Sequence, residues 1–504
     1  MRVLRPAVPE QKPFALVLHT MGYLWQNGGI CMAGDILITG GRPLNGTVRI
    51  PAAKNSVLPL LAASLLCTGP VRLQGVPRLA DVEDCRTLLQ GAGCEALWQG
   101  TDLVVRGTPQ RCALAEGPAS RMRASILFCA PLLARLGRAE TVVPGGCRIG
   151  ARPIDLHLSG LAQMGVRQVQ AGEQLVLTAP SGLRGAEITL AFPSVGATET
   201  LLLAAACARG ETILRGAARE PEIVDLAQFL NRCGGCVQGA GSGTVRIQGQ
   251  RTLSGCTFAP VADRIAAATY ACACAAAGGR VELDGCSPQL YAPVLEILEQ
   301  MGCTVERGEK QAEISRFGRL YGAGRVFTGV YPALATDAAP LLAAVMLCAE
   351  GESSIEDVVF ERRFGCAAGF AALGARTAVN GRVLHIAPGG KLRGTRLEAP
   401  DLRGGAALAA AALAAEGCSR VSGTGYIDRG YADLAADLAG LGACIRREMR
   451  PQTARVKKEH PKRRFDLQSR AKDDTIQLYK CAKRNSVRSA QFHDNIRWRT
   501  KLWH

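Results

Sequence analysis

The feature that most constrains the fold is a unit of about 70 residues that recurs six times along the chain. The first half of each unit is rich in Ala and Leu, opens on a polar residue and closes on Gly. These six segments span residues 53–69, 121–137, 194–210, 262–278, 336–351 and 401–417. Because apolar residues surround the whole circumference of each segment, we predict helices that are buried on all sides. The predicted N-caps are Ser120, Ser194, Thr336 and Asp401.

The second half of each unit predicts a short strand, an amphipathic helix and a further strand. The amphipathic helices close on glycines at positions 93, 165, 235, 302, 374 and 442, as expected for a left-handed residue that ends a helix. The period is longer than that of solenoid repeats, so each unit is predicted to be a small α/β module with its sheet outside its buried helix. Three modules per domain predict a boundary near residues 259–262 and a ligand cleft between the two domains.

The net charge of +17 lies mostly at the chain ends. Residues 451–504 hold fifteen Lys or Arg and five Asp or Glu, and residues 1–32 hold three Lys or Arg and one Glu, which leaves a net charge of about +5 for residues 33–450. The repeats therefore predict no nucleic-acid partner. We expect residues 1–32 to be a disordered or artefactual extension and the basic tail 451–504 to be disordered. The apolar run at residues 14–25 is too short to span a bilayer, so no membrane partner is expected.

The cysteines lie mostly in apolar helical runs rather than in an evenly spaced framework, which favours a reducing, cytoplasmic location. Cys233 and Cys236 have the spacing of a redox or zinc pair. Because no second pair accompanies them, neither a metal nor a redox role is predicted. Cys147 differs because it stands in a Gly-rich loop with Arg148 and Arg152. These cations favour its thiolate, so Cys147 is predicted to be chemically active.

Charged residues open the predicted buried helices, where cations oppose the helix dipole and need a compensating partner. For Arg219 with Glu222, and for Asp263 with Arg264, we favour salt bridges. The other cations favour a small polyanionic ligand that carries phosphate and carboxylate groups. These cations are Lys54, Arg123, Arg152, Arg363, Arg403 and Arg429. His157 fits either a ligand contact or a structural role.

Seven motifs together resemble the enolpyruvyl transferases, and among them the enzymes that act on UDP-N-acetylglucosamine. The motifs are Ala53-Lys54-Asn55, Met122-Arg123, Pro144-Gly-Gly-Cys147-Arg-Ile-Gly-Ala-Arg152-Pro-Ile-Asp155-Leu-His157, Ser194-Val-Gly-Ala-Thr-Glu199, Glu220-Pro-Glu222-Ile-Val-Asp225, Asp401-Leu-Arg403 and Asp428-Arg429-Gly-Tyr431. The resemblance covers residues 33–450, and its Cys-loop motif separates the chain from the enzymes that act on shikimate 3-phosphate. It implies an α/β fold of two inside-out barrel domains, each built from three α/β modules with buried helices and outer sheets. The implied domains are residues 54–261 and residues 33–53 plus 262–450.

The resemblance also implies a reaction, in which enolpyruvyl passes from phosphoenolpyruvate to the 3′-hydroxyl of UDP-N-acetylglucosamine and phosphate is released. This is the first committed step of peptidoglycan synthesis, and it uses no metal or cofactor. Cys147 is implied to be the general acid, to form a covalent pyruvate adduct and to be the target of fosfomycin, while Asp337 is the implied base. Lys54, Arg152 and Arg429 would hold phosphoenolpyruvate, and Lys54 and Arg429 would also be catalytic. The implied contacts of the nucleotide sugar are Asn55, Arg123, Arg152, Pro153, Ile154, Asp155, Leu156, Phe192, Pro193, Ser194, Val195, Asp337 and Val359, with Arg363, Asp401 and Arg403 completing the cleft.

Two alternatives stay open at this point. The chain departs from the family pattern at Leu334-Ala335, Phe364-Gly365-Cys366 and Tyr426, which is compatible with a divergent, non-catalytic paralogue that binds UDP-sugars. Transfer to another acceptor, such as shikimate 3-phosphate, is the second alternative.

Overall fold

A computed structural model describes residues 34–144, 149–150, 154–171 and 174–449. The predictions for residues 1–32 and 451–504, and those for Cys147, Arg152 and Pro153, lie outside the described residues.

The helices and strands alternate along the chain as the repeat predicts. The α-helices are Lys54–Ala63 (α1), Ala80–Ala92 (α2), Glu116–Arg121 (α3), Cys129–Leu136 (α4), Asp155–Gln163 (α5), Val195–Ala205 (α6), Pro221–Arg232 (α7), Arg264–Ala277 (α8), Ala292–Gln300 (α9), Ala339–Met346 (α10), Ala367–Ala372 (α11), Leu402–Ala414 (α12) and Leu434–Gly440 (α13). Single 3₁₀ turns or short 3₁₀ helices cover Ser64–Leu66, Arg123–Phe128, Pro288–Tyr291, Thr336–Ala338 and Thr424–Arg429. The strands are Gly34–Thr39 (β1), Leu44–Arg49 (β2), Val71–Leu73 (β3), Glu95–Gln99 (β4), Asp102–Arg106 (β5), Arg138–Val142 (β6), Arg167–Ala171 (β7), Gln174–Thr178 (β8), Glu187–Thr189 (β9), Glu211–Arg215 (β10), Cys236–Gln238 (β11), Thr244–Gln248 (β12), Thr257–Phe258 (β13), Gly279–Asp284 (β14), Thr304–Arg307 (β15), Gln311–Arg316 (β16), Leu320–Tyr321 (β17), Gly324–Phe327 (β18), Ala349–Glu350 (β19), Ser353–Glu356 (β20), Arg376–Asn380 (β21), Val383–Ala387 (β22), Arg396–Glu398 (β23), Cys418–Ser422 (β24) and Cys444–Met449 (β25).

Each repeat contributes most of one small sheet. In chain order of the repeats, the strand orders are β13-β3-β5-β4, β6-β8-β7, β11-β12-β10-β9, β15-β16-β14-β2, β18-β20-β22-β21 and β23-β24-β1-β25, and β17 pairs with β19 separately. Strands such as β12 alternate between buried and exposed residues, which is typical of a sheet with one face on the core and one face in solvent.

The first two strands complete sheets of the C-terminal half. Strand β1 lies antiparallel between β24 and β25, with Ile36 opposite Val421. Strand β2 runs parallel to β14, with Leu44 opposite Gly279. A stretch of chain near the start thereby becomes part of the core formed by residues more than 200 positions later.

The described residues form two hydrophobic cores. One core draws on residues 57–258 and surrounds α1, α4 and α6, and the other combines residues 36–50 with 265–441 around α8, α10 and α12. Every residue of α10 is buried, as are all residues of α12 from Leu402 to Leu413. The predicted α/β class, with buried helices inside and sheets outside, is confirmed. The domain bounds 54–261 and 33–53 plus 262–450 stay a prediction.

Two of the four predicted N-caps are wrong. Ser194 and Asp401 do accept hydrogen bonds from backbone N–H groups at the starts of α6 and α12. Ser120 instead lies inside α3 and donates its hydroxyl to the Gly117 carbonyl at 3.0 Å. Thr336 is the first residue of a 3₁₀ turn rather than its N-cap, and it donates its hydroxyl to the Asp357 carboxylate.

Glycines end the amphipathic helices almost as predicted. Five of the six predicted positions have φ between 92° and 103°, namely Gly93, Gly165, Gly302, Gly374 and Gly442. In the third repeat the left-handed residue is Gly234, with φ 90°, rather than Gly235. The repeat therefore fixes where the helices end to within one residue.

Candidate active site

The starts of all six repeat helices line one cavity of about 690 Å³. The first residue of each helix or 3₁₀ helix lines the cavity; these residues are Lys54, Arg123, Val195, Arg264, Thr336 and Leu402. The first N–H groups of a helix have no partner within the helix, and the dipole makes that end positive. Six such ends around one cavity favour an anionic ligand.

Most of the residues predicted for the site line this cavity. They are Lys54, Asn55, Arg123, Asp155, Leu156, Phe192, Pro193, Ser194, Val195, Asp337, Val359, Arg363, Asp401, Arg403 and Arg429. Ile154 instead packs against the first hydrophobic core, next to the start of α5. Residues more than 370 positions apart in the chain thus converge on one site.

The cavity wall is not uniformly basic, contrary to what the helix starts alone predict. Six Lys or Arg and seven Asp or Glu line it. Burial, together with Glu222 and Glu220, raises the pKa of Glu199 well above its usual value, which favours the neutral form of this carboxyl. The side-chain charges of the described wall nearly cancel. Ser194, Asp263 and Asp401 already accept from backbone N–H groups at three of the six helix starts, so the other three starts and the individual cations would attract an anion.

Asp337 lies between two buried arginines. Arg363 donates to one of its carboxylate oxygens, and Arg403 Nε donates to the other at 3.2 Å. Burial by itself would raise the pKa of Asp337, but Arg363, Arg403 and Lys54 hold it far below its usual value. Asp337 is therefore ionised at neutral pH, and two guanidinium groups share its one negative charge.

Asp81, which the sequence did not single out, joins the two cations predicted to hold phosphoenolpyruvate. It accepts from Lys54 Nζ at 3.2 Å and from Arg429 Nε at 2.8 Å, and it is 3% exposed. Despite burial, Lys54 and Arg429 lower the pKa of this carboxyl. An acid in the first turn of a helix such as α2 is common, so its sequence context gave no signal of this role.

The two salt bridges predicted near the helix starts do not form as paired. Glu222 binds Arg264, with Nε to Oε1 at 3.0 Å, whereas Arg219 donates to the Tyr331 carbonyl at 3.1 Å. Asp263 caps α8 and accepts from two backbone N–H groups at 2.9 Å each. The backbone N–H groups at the start of α8 have no acceptor within the helix, so they bind the Asp263 carboxylate. Arg264 therefore pairs with Glu222 instead.

Ile149, two positions after Cys147, also lines the cavity. Its carbonyl accepts a hydrogen bond from the Arg362 backbone N–H at 2.9 Å, and its side chain is buried. Gly150 has a φ of 150°, a backbone conformation that residues with a Cβ rarely adopt, so glycine is favoured at this position. The chain next to the predicted reactive loop is thereby held against the segment that carries Arg363.

The sequence matches the family model of EPSP synthase (3-phosphoshikimate 1-carboxyvinyltransferase) over residues 38–438. Two similar proteins are the UDP-N-acetylglucosamine 1-carboxyvinyltransferases of Maricaulis maris and Nitratidesulfovibrio vulgaris. The Maricaulis maris protein is 44% identical, and the alignment covers 82% of this chain and 98% of the relative. The Nitratidesulfovibrio vulgaris protein is 41% identical, and the alignment covers 82% of this chain and 99% of the relative.

Solved structures show the same fold. The enolpyruvyl transferase NikO from Streptomyces tendae has a TM-score of 0.75 at 28% identity, with 83% of this chain and 100% of that chain covered. An EPSP synthase from Acinetobacter baumannii has a TM-score of 0.64 at 21% identity, with 82% of this chain and 100% of that chain covered. Across the described ranges, no helix is both long and apolar enough to cross a membrane.

Proposed function

Because the chain belongs to the EPSP synthase family of enolpyruvyl transferases, we propose that it transfers enolpyruvyl from phosphoenolpyruvate to the 3′-hydroxyl of UDP-N-acetylglucosamine and releases phosphate. The observation that carries this proposal is the cavity in which Lys54, Arg429 and the Asp337 carboxylate meet at six helix starts. Relatives that share 41–44% of their residues with this chain carry the name of this activity. The resemblance to an EPSP synthase structure, at 21% identity, supports the fold alone.

Both substrates are polyanions, and the cavity offers each of them matching groups. We assign phosphoenolpyruvate to Lys54, Arg152 and Arg429, because a phosphate and a carboxylate need several cationic donors. Its binding would draw Lys54 and Arg429 partly away from Asp81. The helix start at Arg123 and the turn 192–195 face the same cavity and would hold the nucleotide sugar. The volume of about 690 Å³ is within the range of sites for ligands of this size.

Asp337 would accept the proton of the 3′-hydroxyl as its oxygen attacks the central carbon of phosphoenolpyruvate. By themselves, Arg363 and Arg403 keep this carboxylate a weak base. A bound anion near Arg363 or Arg403 would offset their charge and raise the basicity of Asp337 when both substrates are present. The site would thus acquire its base only when the acceptor and donor are both bound.

Cys147 would protonate the methylene carbon and so generate a tetrahedral ketal. The bond between the central carbon and the phosphate oxygen then breaks, the methyl group loses a proton, and the enolpyruvyl ether forms. The cations around the cavity would stabilise the departing phosphate. The same thiol, as a thiolate, would add to the central carbon to give the covalent pyruvate adduct, and would react with the epoxide fosfomycin.

Of the departures from the family pattern, Ala335 lines the cavity, and the other positions lie outside its wall. Phe364 and Cys366 are buried in the second hydrophobic core. Leu334 belongs to that same core, and Tyr426 likewise lies apart from the lining residues. The charged set of the site is therefore intact, which supports a catalytic protein rather than a paralogue that only binds UDP-sugars.

We further propose that the product enters peptidoglycan synthesis in the cytoplasm. All seventeen cysteines in the described ranges are free, which supports a reducing compartment. The proposed chemistry needs small-molecule substrates and no macromolecular partner.

The test is phosphate release from phosphoenolpyruvate by the full chain. We expect release with UDP-N-acetylglucosamine, none without it, and none with shikimate 3-phosphate. Cys147→Ala should lose the activity and fosfomycin labelling, whereas Cys418→Ala, which removes an exposed thiol on β24, should keep both. Binding of the nucleotide sugar without turnover, or full activity of Cys147→Ala at every pH, would contradict the proposal.

A further inference from the structure

Two thiols meet at the end of α7 that lies away from the cavity. The Cys233 sulfur, directly after α7, is 3.3 Å from the sulfur of Cys256. Cys233 is buried and Cys256 is half-buried. The partner of Cys233 is therefore not Cys236, which its spacing suggested, but a cysteine 23 residues later.

Backbone contacts already hold the two segments together. The Cys233 carbonyl accepts from the Ser254 N–H at 2.8 Å and from the Ser254 hydroxyl at 3.0 Å. Phe229 on α7 and Phe258 on β13 form an edge-to-face pair with centroids 5.6 Å apart. These contacts fix the helix end against the strand, so the sulfurs need to approach by little more than about 1 Å to reach the bond length of about 2.05 Å in a disulfide.

We propose that Cys233 and Cys256 are a site of reversible disulfide formation whose co-reactant is a low-molecular-weight disulfide. The half-buried Cys256 loses its proton and attacks one sulfur of that molecule, which releases one thiol and leaves a mixed disulfide on Cys256. Cys233 then loses its proton and attacks the Cys256 sulfur, which displaces the second thiol. The protein loses two hydrogen atoms, and the small disulfide is reduced to two thiols.

The surroundings make this exchange slow. Contact with the Cys233 thiol, followed by burial, raises the pKa of the Cys256 thiol, while Arg232 acts in the opposite direction. Little thiolate is present at neutral pH, so exposed thiols such as Cys418 and Cys444 react first. Once the mixed disulfide forms on Cys256, the adjacent Cys233 resolves it within the protein.

The test is peptide mapping of the full chain after equilibration with oxidised glutathione and alkylation of the remaining thiols. We expect a peptide that links Cys233 to Cys256. It should be absent from Cys256→Ser and from Cys256→Ala, and unchanged in Cys236→Ser, the matched control. Oxidised wild-type protein should also unfold at a higher temperature than reduced protein, and neither Cys256 variant should show this rise.

Three outcomes would overturn the proposal. One is the absence of the linked peptide from wild-type protein whose Cys418 and Cys444 carry glutathione. The others are a link from Cys233 to Cys236 and a link from Cys233 to Cys67, a buried thiol that also interacts with Cys233. Because mapping of the wild-type protein does not depend on any variant, a variant that fails to fold leaves the result decisive.

Discussion

Replacement of Asp81 by Asn tests whether this carboxylate holds Lys54 and Arg429 in place. The side chain of Asp81 is 4% exposed, and those of its partners are 13% and 20% exposed. Loss of one partner from a fully buried pair costs about 3–5 kcal/mol. Because both cations retain some contact with solvent and Asn still accepts hydrogen bonds, we expect Asp81→Asn to lower the free energy of unfolding by about 2–3 kcal/mol at pH 7.

The stabilisation by the Asp81 carboxylate should depend on pH. The pKa of Asp81 is lower in the folded protein than in the unfolded chain, so the unfolded chain binds the proton more tightly. The contribution of the carboxylate is therefore complete at pH values above its unfolded pKa of about 3.9 and is lost as the pH falls through the folded pKa. The difference between wild type and Asp81→Asn should shrink below about pH 4.

The assay is urea unfolding at pH 7 and at about pH 3.5, in parallel with steady-state kinetics. Asp84→Asn is the matched control, because Asp84 lies on the same helix and pairs with the exposed Arg121; it should cost less than about 1 kcal/mol. We expect Asp81→Asn to lower kcat, since the two cations lose their orientation, and to lower KM for phosphoenolpyruvate, since a competing negative charge is gone. Equal costs for the two variants, or a cost that is the same at both pH values, would refute the reasoning.

Two further perturbations address the base and the fold. Asp337→Asn should reduce kcat by about 10²–10⁴-fold if this carboxylate takes the hydroxyl proton, and activity within about threefold of wild type in steady-state kinetics would exclude that role. Because Arg363 and Arg403 keep the pKa of Asp337 low, loss of activity between pH 8 and about pH 5 in the wild-type profile should not come from its protonation. Gly249→Ala would place a Cβ 1.8 Å from the Ala208 carbonyl oxygen and should unfold at a clearly lower urea concentration. Gly440→Ala, with open space around its Cβ, should not. Similar midpoints for both variants would contradict this close approach of residue 249 to the Ala208 backbone.

The architecture was predictable from the repeat because the repeat consists of local residue patterns. Apolar residues on every side of a helix require burial, and a Gly after the helix marks its end, as at Gly93. The helix starts were also predictable as a set, since polar residues recur there, and Lys54 and Asp337 line the same cavity. Only the resemblance placed residues 33–53 with the C-terminal domain. The pairing of β1 with β24 and β25 was not predicted, because residue periodicity carries no information about which distant strand is the neighbour.

The remaining features depend on distances that the sequence does not encode. In the sequence Asp81 is an ordinary acid in the first turn of a helix. Its role depends on Arg429, which lies 348 positions later in the chain. The sequence predicted that Arg264 pairs with the adjacent Asp263. Its partner is instead Glu222, 42 positions away, because Asp263 caps α8. Cys236 lies three positions after Cys233, yet the Cys233 sulfur contacts that of Cys256, because the segment that leads into β13 packs against the end of α7.

The most direct test of the central claim is to follow heavy-isotope oxygen placed in the bond that joins the central carbon of phosphoenolpyruvate to its phosphate. If the chain transfers enolpyruvyl, the bond between that carbon and the labelled oxygen breaks. The label should then leave with phosphate while UDP-N-acetylglucosamine gains the enolpyruvyl group at its 3′-oxygen. Label retained in pyruvate, with no modified nucleotide sugar, would mean that the phosphorus–oxygen bond breaks instead and would contradict the account.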